Sequence, residues 1–108
     1  MKKIIKKKSF SEIINFYEVF FFDLYGVTHN GVKPFPGIIN ILKKIKSLNK
    51  KVIFISNAPR KSTKIKKFLN KIGLKKSLYF DVVSSGDITY ENYLVKLNKK
   101  KYYFIGAK

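Results

Sequence analysis

Three short apolar runs, separated by two lysine-studded segments with helical spacing, limit what this chain can fold into. Glu18-Val-Phe-Phe-Phe-Asp23 is continuous and ends in a carboxylate. Lys51-Val-Ile-Phe-Ile55 repeats the pattern and runs into Ser56-Asn-Ala-Pro-Arg60. Phe80 to Val83 is the third run, closed by Ser84-Ser85-Gly86. Uninterrupted apolar runs such as the first two predict strands of a parallel sheet, buried on both faces, and the third, which contains Asp81, is read as a further strand. Between the first two, Ile38, Ile41, Leu42, Ile45 and Leu48 recur at helical spacing behind Pro36, which can open a helix. Between the second and third, Ile65, Phe68, Leu69 and Ile72 do the same ahead of Gly73, a natural helix stop. Ser9 with Glu12 matches a capping box for a short helix over about 10–16. Asp87 is expected to cap a helix carrying Ile88, Leu94 and Leu97, and Tyr102–Ile105 suggests a fourth strand. Strand and helix alternate, so the expected class is α/β: a parallel sheet with right-handed crossovers and helices on its faces. Ligands of such sheets bind beyond the carboxyl ends of the strands. Asp23 and Ser56 both fall there.

Composition narrows the chemistry. A chain of 108 residues holds one domain at most, and 45% hydrophobic residues suffice for a core, which excludes wholesale disorder. The absence of cysteine excludes disulfides, thiolate catalysis and cysteine zinc sites. A lone histidine, His29, excludes a histidine-cluster metal site. Residues 1–8 form a basic tail followed by polar Ser9, Ser11 and Glu12, unlike a signal peptide. Val19–Phe22 is far too short to cross a bilayer, so no membrane association and a cytoplasmic location are expected. The net charge of +18 comes almost wholly from lysine, Arg60 being the sole arginine. Lysine intervals such as 43–46 and 64–71 fit the solvent faces of helices. This much charge implies some salt-dependent, non-specific binding of polyanions, although no nucleic-acid-binding motif is present.

Asp23 is the leading candidate for chemistry. An ionised carboxylate at a strand tip, followed by a glycine-containing loop, suits attack on phosphorus through an aspartyl-phosphate intermediate. The same residue would equally serve as a loop cap. Ser56, at the tip of the adjacent strand and followed by backbone amides, could hold a phosphate, and alone would be an ordinary turn serine.

Taken together, Phe-Phe-Asp23-Leu-Tyr-Gly-Val-Thr-His-Asn-Gly, then Phe-Pro-Gly, then Val-Ile-Phe-Ile-Ser56-Asn-Ala-Pro-Arg resembles the first two motifs of the haloacid dehalogenase superfamily. The sequence is most similar to the NagD-like sugar phosphatase branch, which includes nitrophenylphosphatases. The resemblance implies a Rossmann-like three-layer sandwich, present in part over 9–86, with 87–108 as the beginning of a cap domain. It implies Asp23 as nucleophile and magnesium ligand, the backbone carbonyl of Tyr25 as a second ligand of Mg2+, and Ser56 with the amide of Asn57 as phosphoryl-binding groups. A small phosphomonoester is the implied substrate.

Two departures from the family pattern stand out. The first motif is normally Asp-x-Asp, and its second aspartate is the general acid and base; here that position is Tyr25. A phenol holds its proton too tightly to shuttle it near neutrality. His29, on the same loop, could substitute, although an exposed loop histidine without a role is the plainer expectation. The family's third-motif lysine and fourth-motif acidic pair are also missing from this sequence. The expectation is therefore a truncated phosphatase with little or no activity alone, one alternative being that a complementing carboxyl-terminal chain supplies the rest. The rival expectations are a non-catalytic phosphate-binding remnant and a basic nucleic-acid-binding module.

Overall fold

The computed structural model describes residues 4, 6–98, 101–103 and 105–106. Its centre is a parallel sheet of three strands, β1 (Val19–Asp23), β2 (Lys51–Ser56) and β3 (Asp81–Ser84), in the order β1-β2-β3. Phe20 pairs with Val52 and Asp23 with Ile55; Phe54 pairs with Val82 and Ser56 with Ser84. β2 is thus hydrogen-bonded on both sides. Helix α1 (Ile38–Ser47) crosses from β1 to β2, and α2 (Ser62–Lys71) crosses from β2 to β3. Two right-handed crossovers in the same direction put both helices on one face of the sheet.

Burial follows that arrangement. Phe20, Val52, Phe54 and Val82 share the covered face with Leu42 and Ile45 of α1 and Ile65 and Leu69 of α2. Phe10 closes its rim, with its ring 5.2 Å from Phe20 and 5.5 Å from Phe22. The alternate residues, Val19, Phe21, Ile55 and Val83, lie open on the other face, with Phe21 64% exposed. This corrects the expectation of strands buried on both faces. The first two runs are apolar throughout, but among the described residues only one face has a covering layer, so two layers of the sandwich are present.

Both helices end in the same way. Gly73 takes a positive φ of 97° after α2, so that Leu74 N–H reaches the Leu69 carbonyl at 2.9 Å and Gly73 N–H the Asn70 carbonyl at 3.2 Å. After α1 the left-handed residue is Asn49, φ 56°, with Lys50 N–H bonded to the Ile45 carbonyl at 3.2 Å. Asn tolerates this conformation better than other side chains do. Each reversal aims the chain back into the next strand.

Other expectations need correction. The segment over 10–16 is two 3-10 turns, Phe10–Glu12 and Ile14–Phe16; Ser9 makes no cap bond, and the Glu12 carboxylate accepts instead from Lys8 N–H at 3.1 Å. Helix α1 starts after Gly37 in a left-handed conformation, not at Pro36. Helix α3 (Ser85–Thr89), continued by a π-helical turn over Tyr90–Leu94, is capped by Ser84, whose Oγ accepts from Asp87 N–H at 3.1 Å. Asp87 therefore sits inside the helix that it was expected to cap. Tyr102, Tyr103 and Ile105 form no strand and are exposed; Phe104 lies outside the described residues. No helix among the described residues is long and apolar enough to cross a membrane.

Phe54, fully buried in the middle of β2, fixes the expected stability response. Phe54→Ala should lower the unfolding free energy by about 3–5 kcal/mol, whereas Phe21→Ser on the open face should change it by less than about 0.5 kcal/mol. Urea unfolding of the two variants checks the contrast, and equal losses would contradict the one-faced core.

Candidate active site at the carboxyl edge of the sheet

Asp23 and Ser56 end adjacent strands at the same edge, one register step apart. Because side chains alternate along a strand, that single step sends them to opposite sides of the pleat. Asp23 lies on the open side, in a cavity of about 440 Å3 with Phe21, Phe22, Ile55 and Asn57. Its Oδ1 accepts from the Leu24 N–H at 2.8 Å, which fixes the carboxylate at the strand tip. Ser56 faces the helix side, in a cavity of about 180 Å3 shared with Tyr25, His29, Arg60 and Lys64 and floored by Leu24, Ile65 and Phe68. Its Oγ accepts from Ala58 N–H at 3.1 Å, which leaves the hydroxyl proton free to donate. The fold therefore groups Asp23 with Asn57, and Ser56 with Tyr25 and His29.

The loop after β1 is pinned from beneath by Thr28, which is fully buried. Its hydroxyl proton is shared between the Leu24 carbonyl at 2.8 Å and the Asp23 carbonyl at 3.2 Å. The Leu24 carbonyl also accepts from the N–H groups of Thr28 at 2.8 Å and Val27 at 3.2 Å. Gly26, at φ 82°, makes the reversal and donates to the His29 carbonyl at 2.9 Å. Tyr25 is left at the apex with its side chain 73% exposed, and its carbonyl takes no part in the loop's backbone hydrogen bonds among the described residues.

His29 is buried, not exposed as its loop position suggests. Its Nδ1 accepts from Gly31 N–H at 3.0 Å, and its ring meets Phe68 of α2 edge-on at 5.3 Å and Tyr25 at 6.1 Å. Burial lowers its pKa below the usual imidazole value, and the negative charge of Asp23 opposes that shift only in part. The ring is accordingly neutral at pH 7, with its proton on Nε2.

The loop after β2 is clamped by a segment that sequence reading treated as a strand end and a helix cap. Ser84 Oγ donates to the Arg60 carbonyl at 2.7 Å, and Ser85 Oγ to the Asn57 carbonyl at 2.9 Å. Gly86 N–H bonds the Ala58 carbonyl at 3.2 Å, and the Asp87 carboxylate accepts from Ser62 N–H at 3.1 Å. Backbone approaches so closely here that a Cβ on Gly86 would lie 2.5 Å from the Arg60 carbonyl carbon. Four consecutive residues thus hold 57–62 over the tip of β2. Arg60 and Lys64 were also missed as cavity residues; the only signal for Arg60 was its being the sole arginine.

Comparison with known proteins agrees with this architecture. A family model for haloacid dehalogenase-like hydrolases matches residues 20–108. A 4-nitrophenylphosphatase of Schizosaccharomyces pombe is 41% identical over 71 residues, covering 66% of this chain and 23% of that protein. The crystal structure of a haloacid dehalogenase-like hydrolase from Brucella suis 1330 matches with a TM-score of 0.74 and 27% identity, over 82% of this chain and 34% of that one. The chain spans well under half the length of either relative.

Two outcomes follow from the loops. With a folded-state pKa below the unfolded value of about 6.5, His29 binds fewer protons when folded. Its contribution to stability is then full above about pH 6.5 and is lost as pH falls through the depressed folded value. Urea midpoints should drop between pH 7 and pH 5 in the native protein, and His29→Asn should flatten that slope. Gly86→Ala should cost about 1–3 kcal/mol by overpacking against Arg60 and shift the backbone NMR signals of 57–62, whereas unchanged signals would mean that the contact is loose.

Proposed function

This chain belongs to the haloacid dehalogenase-like hydrolase family, and we propose that it carries the nucleophile-bearing part of a phosphomonoester-hydrolysing site. The observation that carries this reading is Asp23, an exposed carboxylate at the tip of a parallel strand, sharing a cavity with Asn57 from the loop that follows the neighbouring strand. One carboxylate oxygen is held by Leu24 N–H and the other is free to attack. Attack would form an Asp23 O–P bond and break the ester P–O bond, the leaving alkoxide or phenolate taking its proton from solvent, and water would then hydrolyse the phosphoaspartate to free Asp23 and inorganic phosphate. Asn57, which lines the Asp23 cavity, is the proposed grip on the phosphoryl group, and the Ser56 hydroxyl, which faces the neighbouring cavity, would have to turn toward Asp23 to join it. A small phosphomonoester is the substrate class that fits, and the segment 87–108 is read as the start of a cap over the 9–86 core.

Magnesium is the ion that the family typically uses, and the residues present fit it in part. The free Asp23 oxygen and the Tyr25 carbonyl are hard oxygen donors of the kind that it takes. Among the described residues no cluster of three acidic or histidine side chains accompanies them. When bound, the ion would offset repulsion between carboxylate and phosphate. Binding through this chain's two groups alone should be weak.

Tyr25 occupies the position of the family's general acid, and no proton is routed through it. His29 is the other candidate for acid–base work. Its Nδ1 is committed to Gly31 and its ring lines the Ser56 cavity instead of the Asp23 cavity, so we assign it to holding the loop. A site without a dedicated acid loses roughly 10²–10⁴ in rate. Tyr25 therefore also favours a second reading, in which the chain binds phosphate without turning it over. The open face around Phe21 and Ile55 supports the proposal that the remaining family residues, from the same polypeptide or a complementing one, pack there.

The test combines nitrophenyl phosphate hydrolysis with binding of inorganic phosphate, each with and without magnesium. Hydrolysis by this chain should be slight or undetectable, and magnesium-dependent phosphate binding should vanish in Asp23→Asn. Rapid hydrolysis, or phosphate binding indifferent to both magnesium and Asp23, would overturn the proposal.

A further inference from the structure

The end of the sheet opposite Asp23 is where all three strands start, and because both crossovers return the chain to it, α1 and α2 end there too. Every element that reaches this end brings lysine. Lys46 lies in the last turn of α1 and Lys71 in that of α2. Lys51 opens β2, and Lys75 and Lys76 precede β3. Lys7 lines a cavity of about 360 Å3 with Ile13, Phe16 and Tyr17, just ahead of β1. The nearest carboxylates are already engaged: Glu18 pairs with Lys50 at 3.4 Å, Asp81 with Lys66 at 2.7 Å, and Glu12 accepts from Lys8 N–H.

Large apolar side chains stand in water among these cations. Phe16 is 73% and Phe80 61% exposed, and Tyr17 and Leu48 are exposed as well. Contacts join them into one strip. Lys50 Nζ donates to the Tyr17 carbonyl at 2.8 Å and Lys46 Nζ to the Ser77 carbonyl at 2.7 Å, and the Lys51 ammonium lies 4.6 Å from the centre of the Phe80 ring. Clustered cations attract a polyanion, and apolar side chains between them gain from an apolar phase. Nucleic acid answers the charge and stacks on rings, but offers nothing to aliphatic Leu48. A bilayer surface with anionic headgroups answers both.

We propose that this end of the molecule docks on a membrane surface rich in anionic lipid, with Phe16 and Phe80 entering the interface and the surrounding lysines neutralising headgroups. The expectation of no membrane association rested on the lack of a spanning segment, which bears on crossing a bilayer and not on lying against one. Asp23, at the opposite edge of the sheet, is then turned toward solution. Docking therefore stands whether or not the phosphatase reading does.

The experiment is co-sedimentation of the full chain with vesicles of phosphatidylcholine and phosphatidylglycerol in equal parts, against vesicles of phosphatidylcholine alone, at about 0.1 M salt, where attraction beyond about 10 Å is screened. Binding to the first and not the second is expected. Phe16→Ser with Phe80→Ser should weaken it by about tenfold or more, the loss expected when two rings no longer leave water. Both rings are exposed, so the pair should keep the native circular dichroism. Lys75→Ala with Lys76→Ala should also weaken binding by about tenfold or more. Lys33→Ala with Lys64→Ala removes the same charge from the carboxyl edge and should leave binding unchanged. The chain has no tryptophan, so Phe16→Trp and Phe80→Trp each supply a single reporter whose emission should move to the blue on the anionic vesicles. No binding to anionic vesicles, indifference to the phenylalanine pair, equal weakening by the two lysine pairs, or unshifted emission would overturn the proposal. Tighter binding of a single-stranded oligonucleotide, with the same dependence on Phe16 and Phe80, would overturn it in favour of nucleic acid.

Discussion

Parallel pairing of β2 with a strand on each side is the constraint from which the rest of the structure follows. Every crossover must return the chain to the same end of the sheet, so every strand delivers its last residue to the same edge. Asp23, Ser56 and Ser84 arrive there for that reason alone, although they are widely separated along the chain. The register adds a second, finer constraint. Asp23 is level with Ile55, so Ser56 projects one step further and to the other side of the pleat. Two neighbouring cavities result, one around the carboxylate and one around the hydroxyl.

Strand tips place backbone, but the loops beyond them must be held. Each is held from beneath by small polar side chains bonded to carbonyls. Thr28 does this after β1 and the Ser84–Asp87 segment does it after β2. The hydrogen bonds are local in the first case and span more than twenty residues in the second. Helix α3 is therefore tied to the second candidate loop from its first turn, and whatever moves that helix will move Arg60 with it.

The sequence made the three strands and two main helices legible to within a few residues, because strand and helix periodicities differ and the glycine stop at Gly73 is unambiguous. Facing was not legible. Phe21 and Phe20 are the same residue type, and only the layer packed against the sheet decides which one is buried. His29 likewise reads as a loop residue until Phe68, far along the chain, is brought against it. Asp87 reads as a cap because its true partner, the Ser62 amide, is set by tertiary structure. The fourth apolar run fails as a strand because Tyr102, Tyr103 and Ile105 find no neighbour to pair with among the described residues. The candidate site was legible as residue types at strand tips, while the division of those residues between two cavities required the register.

The open face of the sheet has a consequence for colloidal behaviour. Val19, Phe21, Ile55 and Val83 form an apolar surface beside an edge of β1 that no strand pairs among the described residues, an arrangement that invites stacking between molecules. A net charge of +18 opposes that stacking at long range. The balance is set by counterions: at about 0.1 M salt the repulsion reaches only about 10 Å, roughly the spacing of two stacked sheets. Ionic strength is therefore the variable that governs whether these molecules stay apart.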